Sequence, residues 1–276
     1  MKFLSLIFLA ILFSHPATAQ VSVMSYNIRY ATESDGENAW SQRKEYLAAQ
    51  VAFYEPGILG VQEALLEQLE FLDEELQQYT WFGEGRDGGK KGEFSALFYN
   101  TEKFEVLDTN TFWLSETPET LSKGWDAALN RICTYGLFRE KETGKQFYVF
   151  NTHFDHLGEL ARQRSAELIV DKIKTINSEN LPVVLMGDLN LEPDSPALAP
   201  IFGFLNDSKA AASQVVFGPE GTFNGFKWEE PVSKRIDYVF TSPKGIEVLK
   251  YAVLSESRDK KYPSDHFPVL VLFQLN

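Results

Sequence analysis

Positive charge is scarce in this 276-residue chain: 26 lysines and arginines stand against 39 aspartates and glutamates, a formal net charge of -13. A protein that grips duplex DNA regardless of sequence carries a basic face, so this balance argues against tight, non-specific DNA binding. It leaves room for a local basic pocket, or for a metal ion among acidic groups. Cysteine is nearly absent as well. A single cysteine, Cys133, excludes an intramolecular disulfide, so the fold rests on its core. Its apolar neighbours mark it as a small buried hydrophobe rather than a nucleophile. Long apolar runs are also missing. The run from Phe3 to Phe13 is too short for a permanent membrane span. With no linker, repeat or low-complexity block, a single domain over residues 21–276 is expected.

What is present begins with Lys2, that apolar run, and Ala17-Thr18-Ala19. This is the charged, apolar, small-residue order of a secretory signal. Residues 1–20 therefore read as a signal peptide cleaved after Ala19 or Gln20, which makes the mature protein secreted or periplasmic. No cysteine lies near the cleavage site, which argues against a bacterial lipid anchor. Apolar periodicity then predicts strands at 21–28, 58–62, 94–99, 104–114, 131–139, 146–152, around 183, and at 235–240, 247–254 and 268–273. Helices are expected over 41–54, 64–78 and 158–176. Many strands with few helices suggest two packed sheets flanked by helices.

The segment 185–190, LMGDLN, ends an apolar strand in Asp188 and Asn190. Gly-Asp and Asn favour turns in any case. The same pattern recurs, however, with Asn27 in SYNIR, Glu63 in VQEA, His153 in NTHFDH, Asp237 in KRIDYVF, and Asp265-His266 in SDHFPV. Six polar strand ends are harder to explain as turns than one. In this order they resemble the endonuclease/exonuclease/phosphatase superfamily, the DNase I-like fold, from about Val21 to the C-terminus. The resemblance implies an α+β, four-layer α/β/β/α sandwich with two central, mostly antiparallel sheets and a site at one end of them. It also implies cleavage of phosphoester bonds with a divalent cation, Mg²⁺ in most members, with Mn²⁺ as the alternative.

The chemistry calls for such groups. A phosphoester repels its nucleophile, so cations and donors are needed around phosphorus, together with a base for the water. Mg²⁺ takes oxygen ligands and keeps several waters, which suits Glu63 with Asn27 and Asp265 near it. By resemblance, Asp237 orients His266 and His266 activates the water. Asp188 either positions that water or handles the leaving-group proton, and His153 and Asn190 donate to phosphate oxygens. The competing reading of Asp237 is an ion pair with Arg235 or Lys234.

Arg29, Arg131 and Arg162 are candidate phosphate contacts, Arg162 because an arginine follows the histidine in the deadenylase-like branch. Arg164 reads as a solvated helix charge. His156 does not fit the spacing of a zinc motif, so it supports its neighbours or meets substrate. Trp113 and Trp125 are read as packing residues. The segment GEGRDGGKKGEF lacks the Walker pattern and reads as a mobile loop. Two function classes follow: a secreted metal-dependent phosphoesterase acting on a small or sugar- or lipid-linked phosphoester, with a nuclease as its rival, or a catalytically silent binding protein on the same fold.

Overall fold

The computed structural model describes residues 20–276, so the expected leader lies outside the described residues except for Gln20. In chain order the strands are β1 (Gln20–Asn27), β2 (Ile58–Gln62), β3 (Tyr79–Phe82), β4 (Leu97–Asn100), β5 (Phe104–Trp113), β6 (Ile132–Glu140), β7 (Gln146–His153), β8 (Val183–Asp188), β9 (Asn206–Asp207), β10 (Val215–Phe217), β11 (Asp237–Thr241), β12 (Ile246–Val253) and β13 (Val269–Leu275). They form a seven-stranded sheet, β10-β12-β13-β1-β2-β4-β3, and a six-stranded sheet, β5-β6-β7-β8-β11-β9. Most neighbours are antiparallel. At the centre of each sheet, however, lies a parallel pair, β1 with β2 and β7 with β8.

Both sheets are covered on both faces, which explains their near-continuous apolar strands. Side chains alternate along a strand, so Val21 and Val23 of β1 face Val149, Val184 and Met186 between the sheets. Met24 and Tyr26 turn outward, against Leu47 and Val51 of α1 (Trp40–Tyr54) and Leu69 and Leu72 of α2 (Leu66–Glu75). On the other side Leu185 and Phe240 meet α3 (Glu159–Ile176). That helix buries Ala161, Ser165, Ala166, Ile169, Val170 and Ile173, one stripe at helical spacing. The result is the expected helix-sheet-sheet-helix sandwich.

Two boundaries and one loop differ most from the sequence reading. The helix expected over 64–78 stops at Glu75, because Tyr79, Thr80 and Trp81 pair with β4 as an edge strand of β-favouring residues. The strand expected from Arg235 begins at Asp237, since the Lys234 carbonyl is taken by the Thr222 and Phe223 amides. The loop expected to be mobile is tied down: the Arg86 amide donates to the Glu93 carbonyl at 2.9 Å, and the Phe94 amide to Ala64 at 2.8 Å.

Candidate active site

The two parallel pairs point their C-terminal ends the same way, and the polar strand ends meet there. Asn27 ends β1, Glu63 follows β2, His153 ends β7 and Asp188 ends β8. Asp188 stands in register with His153 on one side and with Asp237 on the other. Asn27 joins the sheets: its amide nitrogen donates to Glu63 at 3.1 Å and to Asp188 at 2.9 Å. Its carbonyl oxygen accepts from the Arg29 amide at 3.0 Å, and the Ser264 hydroxyl donates to its backbone carbonyl at 2.7 Å. Arg29, Glu63 and Asn190 all adopt left-handed backbone, with φ of 54, 62 and 49°. Such φ values are uncommon for these residues and mark a site held in shape by its surroundings.

His266 Nδ1 lies 2.8 Å from Asp237 Oδ2, so a proton on Nδ1 leaves Nε2 facing the cleft as the basic nitrogen. The Asp237 and Ile236 amides both donate to the Thr222 hydroxyl oxygen at 3.1 Å, which holds the carboxylate in place. Asp237 therefore pairs with the histidine, whereas Arg235 pairs with Asp207 at 2.7 Å. Burial alone would lower the His266 pKa, but the Asp237 and Asp188 carboxylates outweigh it and hold it well above the usual histidine value. His153 goes the other way: burial and then Arg131 push it well below. Its 3.5 Å approach to Asp188 is thus a contact of a neutral ring, and the Asn190 amide nitrogen sits 3.1 Å from its Nε2.

The donor set fits a hard divalent cation. Burial and the facing Asp237 raise the Asp188 pKa, and Asp237 Oδ1 is buried without a hydrogen-bond partner. With His266 serving Asp237, the carboxylates left for a cation are Glu63, Asp188 and Asp265 at the cleft, the hard oxygen set that Mg²⁺ prefers. Glu63, His153 and Asp188 present ligand atoms within 4.8 Å of one another, as do Asp188, Asp237 and His266. Asp265 lies at the same cleft, and its carboxylate is 3.9 Å from Arg29 Nε.

The cleft, about 940 Å³, is lined by Arg29, Arg131 and His156 among others. Arg29 is held by Asp35 through two 3.0 Å bonds. Arg131 lies 3.4 Å from Asp155 and 3.1 Å from His156 Nδ1. Arg162 lies outside this lining: it donates to the Asp155 carbonyl at 3.1 Å and borders a neighbouring pocket of about 380 Å³ that shares Leu191 and Ser195 with the cleft. Trp113 is buried, and its indole N–H donates to the Arg86 carbonyl at 2.8 Å.

Several residues escaped sequence reasoning. Asp155 accepts from the amides of Ala128, Leu129, Leu157 and Gly158 and so shapes the wall behind Arg131. Arg43, buried, donates to the carbonyls of Ile28, Arg29, Asn38 and Pro263, tying the end of β1 to the loop before β13. Arg86 and Glu93 reach the cleft from the loop dismissed as mobile. Glu93 directly precedes an apolar strand segment, which is the signal that picked out the other site residues.

Comparison with known proteins agrees with this geometry. The model of the Endonuclease/Exonuclease/phosphatase family matches residues 24–266. A solved mannosyl-6-phosphatase of Bacteroides thetaiotaomicron is 41% identical, with a TM-score of 0.87, over 92% of this chain and 99% of that one. An endonuclease/exonuclease/phosphatase of Bacteroides vulgatus is 38% identical, with a TM-score of 0.89, over 94% and 100%. Among curated relatives, Protein angel of Drosophila melanogaster is 24% identical over 74% of this chain, which spans 59% of that protein's length.

Proposed function

The chain belongs to the Endonuclease/Exonuclease/phosphatase family, and we propose that within it the protein is a secreted, divalent-metal-dependent phosphoesterase acting on a small or sugar-linked phosphoester. The observation that carries this reading is the Asp237–His266 pair, 2.8 Å apart and 3.8 Å from Asp188. Asp237 fixes the ring, and Nε2 of His266 takes a proton from the attacking water. Asp188, hydrogen-bonded to Asn27, holds that water or the leaving-group proton. The Asn190 amide, on His153 Nε2 at 3.1 Å, holds the neutral His153 ring beside the phosphoryl position, and Arg131 adds positive charge on the same wall. Glu63, with Asn27 and Asp265 beside it, would hold a divalent cation, which would supply the remaining positive charge for the reaction.

The mannosyl-6-phosphatase likeness and the acidic surface support a small substrate over duplex DNA. Secretion is supported by the charged, apolar, small-residue order that ends in Ala17-Thr18-Ala19. The test is turnover by purified 21–276 of mannose 6-phosphate, an aryl monoester, an aryl diester and plasmid DNA, with Mg²⁺, Mn²⁺ or EDTA. Chelation should abolish activity and metal should restore it. Glu63→Gln should raise the metal concentration for half activity while keeping the fold. Full turnover by metal-free protein would sink the metal assignment, and a clear preference for DNA would make the protein a nuclease.

A further inference from the structure

One charged pair in the cleft has no part in this chemistry. Arg86 Nη1 lies 2.7 Å from Glu93 Oε2, with side chains only 13% and 16% exposed. The loop that carries them folds back on itself: the Asp87 amide donates to the Lys91 carbonyl at 3.1 Å and the Gly85 amide to Gly89 at 2.8 Å. A Cβ on Gly85 would sit 2.1 Å from the Lys91 carbonyl, so the close turn requires glycine. Backbone bonds and the Trp113 indole already fix the loop, so the ion pair is not needed to hold it. A largely buried ion pair is also a poor source of stability. Burial pushes the Glu93 carboxyl up to about 7 in spite of Arg86. A group kept at such a cost on a cleft wall points to recognition.

The charge of the pair indicates what it recognises. Arg86 is matched by Glu93, so the pair is close to neutral, and a phosphate dianion placed there would meet a carboxylate. Neutral hydroxyl groups suit it: the carboxylate accepts from O–H groups, and the guanidinium donates to their oxygens. Both residues share a small hollow with Arg131 and His153, so the alcohol part of a substrate whose phosphate meets those two residues reaches the pair. We propose that Arg86 and Glu93 form a hydroxyl clamp that selects phosphoesters of polyhydroxylated alcohols, sugars or cyclitols, over apolar ones. The clamp deepens the phosphoesterase reading and rests on it for its place in a reaction.

The experiment has two arms, so the two ideas fail separately. In the first, binding of methyl α-mannopyranoside and of myo-inositol, both free of phosphate, is followed by saturation-transfer NMR on parent, Glu93→Gln, Arg86→Gln and the exposed-loop control Lys90→Ala. At least one polyol should bind the parent and Lys90→Ala, and weaken roughly tenfold or more in the two cleft variants. In the second, kcat/KM for mannose 6-phosphate relative to phenyl phosphate should fall roughly 10- to 100-fold in Glu93→Gln. Polyol binding lost in the variants without any phosphoester turnover would keep the clamp and remove the phosphoesterase reading. The clamp is overturned if no polyol binds the parent, if binding is the same in the variants, or if both phosphoesters lose rate equally. Failure of both cleft variants to fold would overturn it as well, by making the pair a strut.

Discussion

His266 and Asp237 act on one proton, so their losses should not add. Removing either should lower the rate by about 10²- to 10⁴-fold, and removing both should cost little more. Both are buried, so each single change also leaves its partner unpaired and should lower the melting temperature, which makes melting curves part of the test. Activity needs Nε2 unprotonated, and the neighbouring carboxylates hold the His266 pKa above its usual value. The rate should therefore rise with pH through a limb lying above about 6.5, and the limb should shift to lower pH in Asp237→Asn. Initial rates and melting curves on one substrate check this; additive losses would refute the pair. Two other carboxylates predict opposite effects on stability. At Asp155 burial alone would raise the pKa, but the amides of Gly158, Leu157 and Ala128, helped by Arg131, hold it well below the usual carboxylate value. Its stabilising effect is present above the unfolded value near 3.9 and fades as pH falls. Asp155→Asn should cost about 2–4 kcal/mol at neutral pH, with the gap closing in acid. Glu93 has its pKa raised to about 7, so its ionisation opposes folding progressively from the unfolded value near 4.3 upward and in full above about 7. Glu93→Gln should be more stable than the parent by roughly 1–3 kcal/mol at pH above about 7, and no more stable near pH 4. Denaturant titrations at three pH values decide both, and a destabilised Glu93→Gln at alkaline pH would contradict the functional cost assigned to that carboxylate.

Between the elements, the two sheets are locked just below the site by a polar residue in an apolar layer. Asn151 of β7 donates to the carbonyls of Val61 and Ala96 at 2.9 and 2.8 Å, and accepts from the Gln62 side chain at 2.7 Å. Gly60 leaves room for it, since a Cβ there would come within 2.9 Å of its Cγ. Asn151→Leu should remove one bond from each carbonyl, Ala96 keeping the Val61 amide at 3.0 Å, and leave the buried Gln62 amide without its closest partner, at a cost of about 1–3 kcal/mol. Activity should fall too, because Glu63 follows directly on the β2 residues this network holds. Unchanged melting would show that the sheets do not depend on the link. Asn151 also marks where sequence reading stops. Strand-end groups such as Asn27, Asp188 and Asp237 were legible because a polar residue at the edge of an apolar run breaks a local pattern. Asn151 was passed over as one polar position within a strand, and its partners are 90 and 55 residues away. Arg86 was hidden by a glycine-rich segment that looks mobile until the Trp113 and Ala64 contacts are known. Arg162 was singled out because an arginine follows the histidine in the deadenylase-like branch, and the structure places it in a neighbouring pocket. Two packed sheets flanked by helices followed from many apolar strands with few helices, and the four-layer order from the family resemblance, whereas edge strands as short as β9 and β10 leave too few residues for a pattern.

At the scale of the whole molecule, charge opposes one class of substrate. A protein of net charge -13 repels a polyanion over distances of a Debye length, about 10 Å at 0.1 M salt and 30 Å at 0.01 M. A small phosphoester inside the cleft feels mainly the local arginines and histidines and the cation held there. The two substrate classes should therefore respond to salt in opposite ways. Ordinary DNA-binding proteins lose affinity steeply as salt rises, because binding releases counterions from the phosphates they neutralise. Here, kcat/KM for any residual cleavage of plasmid DNA should rise as ionic strength increases from about 0.01 to 0.1 M, since screening removes the repulsion. For mannose 6-phosphate it should stay flat or fall slightly, as the attraction between one phosphate and the cleft is screened. Rates for both substrates on one preparation, at fixed Mg²⁺ with monovalent salt as the only variable, make the comparison internal. A DNA rate that drops steeply with salt while exceeding the sugar phosphate rate would identify a basic nucleic-acid track despite the acidic total, and would move the protein to the nuclease side of its family.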